Sequence, residues 1–201
     1  MFVMNVIKKN WAYFCCVVLG LFNFILFAIP YVAAFVETKS WVGDLSYSEG
    51  ISGYRVMDMW DGGFSGVMSS LLQIFILILG IVLLVLGVLG LLKAKNICKV
   101  LPDKLGNVES KKAGEIGLLV MTILNVLLLV FLIIVTVQNT EGDSSGRAGI
   151  KLSAGIFLAI IFGAAAYVGG KLIEKKANSE PATETAEEKA EETPVEEKTE
   201  E

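Results

Sequence analysis

Few residues in this 201-residue chain could do chemistry, and histidine is absent altogether. That removes the commonest general base, the commonest metal ligand and the usual pH switch together. Four carboxylates, Asp44, Glu49, Asp58 and Asp61, fall within one polar stretch, but their spacing matches no calcium loop. Ser69 and Ser70 are adjacent hydroxyls with no imidazole to activate either one. Cys15 and Cys16 sit inside an apolar run and Cys98 in a basic loop, so no disulfide framework is indicated. Small apolar packing residues are the plain reading of the cysteine pair, and lipidation near an interface is the alternative. No catalytic, cofactor-binding or metal-ligating residue is therefore expected, and the protein is expected not to be an enzyme. Nothing in the chain calls for a nucleic-acid partner.

The elements that must position these residues are long apolar stretches. Gly66 to Leu92 runs 27 residues without a charge or a proline. At roughly 1.5 Å per residue that is about 40 Å of helix, against a hydrocarbon core of roughly 30 Å. Similar stretches occupy Trp11 to Val36, Glu115 to Val137 and Ala148 to Gly170. The expected fold is an all-α integral membrane protein, an antiparallel bundle of four transmembrane helices over residues 1–176, with Pro30 kinking the first near its end. Lys8 and Lys9 ahead of the first run, and Ala33 and Ala34 after Pro30, resemble a signal peptide. The 19 apolar residues from Trp11 to Ile29 exceed a cleavable core, so a retained helix is expected.

Between the spans lie a polar loop at 37–65, a basic loop at 93–114 and a short loop before the fourth span. In the first of these, Gly53 to Trp60 reads as a short strand or an interfacial turn, and Trp60 and Phe64 as membrane anchors. One side of the bundle carries 11 Lys/Arg in its short segments and the other four (Lys39, Arg55, Arg147 and Lys151). Cationic loops stay inside, so a multi-pass cell-membrane protein with both termini cytoplasmic is expected. Residues 177–201 hold ten glutamates against Lys189 and Lys198. Their one large aliphatic residue, Val195, cannot offset ordering entropy, and this acidic cytoplasmic tail is expected to be disordered.

Two stripes of small residues point to close helix contact. Gly66, Gln73, Gly80 and Gly87 recur every seven positions on the second span; Gly155, Ala159 and Gly163 recur every four on the fourth. Asn23, Gln73 and Asn125 place one amide in each of the first three spans. An amide left unpaired in hydrocarbon costs several kcal/mol, so each is expected to face protein as a packing clamp, with Asn23 and Asn125 deep enough to bond each other. An alternative has the three amides lining a polar path.

Besides the bilayer itself, Lys93, Lys95, Lys99, Lys104, Lys111 and Lys112 are expected either to attract anionic lipid headgroups or only to set topology. The layout of four spans, a larger first outer loop containing Trp41, and both ends inside resembles claudin-type and other tetraspan proteins. The outer loop lacks the cysteine pair such loops carry, and the likeness is one of topology. The expected role is a non-enzymatic scaffold or accessory subunit of a membrane complex, bound to a membrane partner or to its own copies. The alternative is a small oligomeric channel or transporter component.

Overall fold

A computed structural model describes residues 10–39, 43–94, 108–142 and 146–179. Trp41, Lys95, Cys98, Lys99, Lys104, the basic head and the tail beyond residue 179 lie outside the described residues. Among the described residues, four helices are long and apolar enough to cross a membrane: α1 (Trp11–Ala28), α3 (Gly63–Ala94), α4 (Val108–Gln138) and α5 (Ala154–Ser179). They form a ring, α1 on α3, α3 on α4, α4 on α5 and α5 on α1. Phe75, Val82 and Ile161 are exposed on their outer surfaces, while Phe27, Ile76, Leu83, Leu118 and Leu128 fill the centre. Aliphatic side chains both inside and outside are what a bundle in lipid requires, because the surrounding solvent is itself apolar.

The all-α expectation is corrected at one end of this bundle. The structure contains an antiparallel sheet of β1 (Pro30–Thr38), β2 (Leu45–Ser52), β3 (Glu141–Gly142) and β4 (Gly146–Leu152), in the order β2-β1-β4-β3. The first helix is not kinked by Pro30; it ends before it. A residue preceding proline is driven out of the α region, and Ile29 is extended with ψ 143°. The following Tyr-Val-Ala-Ala-Phe-Val then continues as strand, which its β-branched and aromatic content favours. The fourth span is displaced likewise: residues 148–152 belong to β4, and α5 begins only at Ala154. Hydropathy had joined each strand to its helix, because an apolar run bordering a span has no period of its own.

Register ties the sheet to the helices. Val32 pairs with Ile51 on one side and Leu152 on the other. The next rows are Glu49–Ala34–Ile150 and Tyr47–Val36–Ala148. Tyr31, Val32 and Ala33 at the base are buried. The Ser153 amide donates to Tyr31 O at 2.9 Å, fastening the start of α5 to β1. Of the two readings of Gly53 to Trp60, a short strand or an interfacial turn, the strand does not form: the stretch holds a helical turn, α2 (Gly53–Val56), followed by a 3₁₀ turn at Met59–Asp61.

Candidate functional site

Four of the buried polar side chains, Ser65, Ser69, Ser70 and Gln73, collect on α3 toward the sheet end of the bundle, where α2 packs against that helix. Ser70 Oγ donates to Val56 O at 3.0 Å and to Gly66 O at 3.1 Å, holding α2 against α3. Ser69 Oγ donates to Ser65 O at 2.8 Å, and Ser65 Oγ to Gln138 Oε1 of α4 at 2.7 Å. Both hydroxyls of the adjacent serine pair are thus engaged with backbone. One helical turn deeper lies Gln73, fully buried, with neither Oε1 nor Nε2 in a hydrogen bond. Tyr31 Oη is buried and unbonded as well. Burial pushes the Tyr31 hydroxyl up to about 12, and the neighbouring Gln73 amide partly offsets that rise without a well-aligned hydrogen bond.

A buried polar atom without a partner costs about 1–3 kcal/mol. Gln73→Leu keeps the volume and removes that cost. It is expected to stabilise the protein by about 1–3 kcal/mol, read as a higher thermal midpoint in detergent. A lower midpoint would mean that Gln73 contributes a bond that holds the fold.

The other two amides lie apart from this pair. Asn23 Nδ2 reaches Ile76 O of α3 over a long 3.4 Å, and Asn125 Nδ2 donates to Met121 O of its own helix at 2.9 Å. All three amides are buried, yet Asn23 and Asn125 do not bond each other. Side-chain amides in helices find backbone carbonyls on their own or the adjoining helix first.

The small residues mark real contacts, with partners that spacing could not name. Gly80 sits against the Asn23 side chain; a Cβ on Gly87 would lie 2.7 Å from Tyr13 O. Gly20 of α1 answers from the other side, 2.8 Å from Leu84 Cβ by the same measure. The α3 stripe is therefore the α1–α3 seam, although Gly66 at its start meets Met59 O rather than a helix. The α5 stripe serves two neighbours: Gly155 faces Tyr31 and Pro30 O, and Gly163 faces Thr122 of α4. Ala159 between them is buried.

On the sheet, Glu49 pairs with Arg55 at 3.2 Å, and both side chains are exposed, so the pair contributes little. Among the described residues no three Cys, Asp or Glu side chains gather as metal ligands. A shallow concavity of about 540 Å³ lies at the far end of β1, β3 and β4, with Glu37, Glu141 and Arg147 on its rim. Beside it, Leu45 is 74% exposed and Tyr47 65%. Strand register places both on the face that carries Val36 and Ala148. Periodicity could not have found this apolar strip, because it exists only once β1, β2 and β4 are paired.

No family model, no curated protein and no solved structure matches the chain.

Proposed function

We propose that this protein is a non-enzymatic scaffold or accessory subunit of a cell-membrane complex, with the sheet outside and both termini in the cytoplasm. The observation that supports it most is the strip of Leu45, Tyr47 and Val36, standing clear of the helices on the sheet's far rows. Beyond the membrane, exposed apolar side chains on a sheet anchored to a rigid bundle make a docking surface. The orientation follows the excess of lysine at the opposite end. Interior hydroxyls tied to backbone and buried amides serve assembly of the bundle rather than turnover.

The test is native mass spectrometry of the full-length protein, extracted gently from its own membrane, beside the Leu45→Ser, Tyr47→Ser double variant. The wild type is expected to carry a partner protein or a second copy at fixed stoichiometry. Burying each anchor is worth about 1.5–3 kcal/mol, so the double variant should lose that association at least tenfold while its thermal midpoint stays put. A bare wild-type monomer, or an association that the double variant leaves unchanged, would sink the reading.

A second reading, a small oligomeric channel or transporter component, is favoured by one observation: the unpaired polar atoms of Gln73 and Tyr31 in the apolar interior. Ion or solute flux in proteoliposomes that is the same for wild type and Gln73→Leu would remove it.

A further inference from the structure

At the end of the bundle away from the sheet, α4 and α5 form a groove of about 380 Å³. Lys111, Lys112 and Glu115 of α4 line it, with Tyr167 and Lys171 of α5. The lysines come from segments some sixty residues apart and meet only because the two helices run antiparallel. Lys171 Nζ is ion-paired with Glu115 across the helix interface, which fixes that ammonium at the mouth. Among the described residues that line the groove, three lysines stand with one glutamate.

The groove changes character along its length. Ile116 and Leu119 continue its α4 wall toward the middle of the helix, and Ile123 follows on the same stripe. Ile116 is 60% exposed, and Leu119 and Ile123 are exposed too. A cationic mouth at a helix end, opening onto aliphatic surface, suits a molecule that is anionic at one end and apolar along the other.

We propose that this groove binds an anionic phospholipid, with its headgroup phosphate on Lys111, Lys112 and Lys171 and an acyl chain along Ile116, Leu119 and Ile123. The apolar wall argues for a bilayer lipid over a soluble anion, which would use the charges alone. The proposal is independent of the scaffold reading and of any partner at the sheet.

The experiment is native mass spectrometry of the full chain in detergent with phosphatidylglycerol or phosphatidylcholine of identical acyl chains, plus a competition arm with inorganic phosphate. Phosphatidylglycerol is expected to be retained at least tenfold better than phosphatidylcholine, and millimolar phosphate should leave it in place. Lys111→Gln with Lys171→Gln should weaken retention roughly 30-fold, about fivefold for each ammonium removed. Lys111→Arg with Lys171→Arg should keep most of it, and Lys93→Gln with Lys175→Gln, equal in charge lost, should change it less than threefold. Thermal midpoints of all variants report folding, and the arginine pair still tests the site if the glutamine pair fails to fold. Equal retention of the two lipids, displacement by inorganic phosphate, or an equal loss in the Lys93/Lys175 variant would overturn the proposal.

Discussion

Gly80→Leu combined with Gly87→Leu is expected to abolish most of the folded, monodisperse protein in detergent. At Gly87 a Cβ would lie 2.7 Å from Tyr13 O and 2.8 Å from Val17 N, both backbone atoms of α1. Neither can rotate away, so only separation of the two helices would make room. At Gly80 the obstacle is the Asn23 side chain, whose displacement also ends its bond to Ile76 O. Overpacking costs about 1–3 kcal/mol per site, and the buried amide left unpaired adds a similar amount, so the double variant loses roughly 3–9 kcal/mol. Small domains hold only about 5–15 kcal/mol in total. Gly169→Leu is the control, since a Cβ there meets nothing within 4 Å. The measurement is the thermal midpoint with the monodisperse fraction on size exclusion; a double variant that behaves like Gly169→Leu would refute the α1–α3 seam.

The second large effect concerns the joint between sheet and bundle. Gly155 opens α5 directly under β1, and a Cβ there would stand 2.5 Å from Tyr31 Cδ1 and 2.6 Å from Pro30 O. Gly155→Val therefore drives a branched side chain into both a buried ring and a backbone carbonyl. Tyr31 is fully buried and packs against Phe27, with ring centroids 6.4 Å apart, so it has nowhere to swing. The neighbouring bond from Ser153 N to Tyr31 O is broken when the two backbones part. The expected result is a sheet loosened from an intact bundle. Proteolytic cleavage within residues 30–52 should become at least tenfold faster, and the thermal midpoint should fall by the equivalent of about 2–4 kcal/mol. Helical content by circular dichroism should change little. Unaltered cleavage would show that β1 is not seated on α5 as described.

The consequences of the two variants differ in kind. The first takes apart the bundle; the second spares the helices and removes the platform on which Leu45 and Tyr47 stand. If the sheet carries the docking surface, Gly155→Val should release the partner while the protein remains in the membrane.

What the residues determined alone are the features that depend on local composition. A run such as Gly66 to Leu92 exceeds the thickness of a bilayer whatever its surroundings, so four helices of spanning length follow from hydropathy. The same holds for the small-residue stripes: Gly80 and Gly87 must share a helix face because their spacing is close to two turns. Lysine placement likewise set one end of the bundle apart from the other. Tertiary structure decided everything that needs two distant segments at once. Pro30 could be read as a kink or as a stop, and β1 became a strand where β2 and β4 arrived to take its backbone hydrogen bonds. Residues 148–152 carried no signal of their own to separate them from α5. The three amides offered the same ambiguity, because depth along a span says how far in a side chain lies and not which way it turns. Asn23 turned toward α3, Asn125 bonded within its own helix, and Gln73 came to rest beside Tyr31. Lys111 and Lys171 share a groove for the same reason that Leu45 and Tyr47 share a sheet face with Val36. Such neighbours are made by packing and pairing, long-range terms that no local pattern of residues encodes.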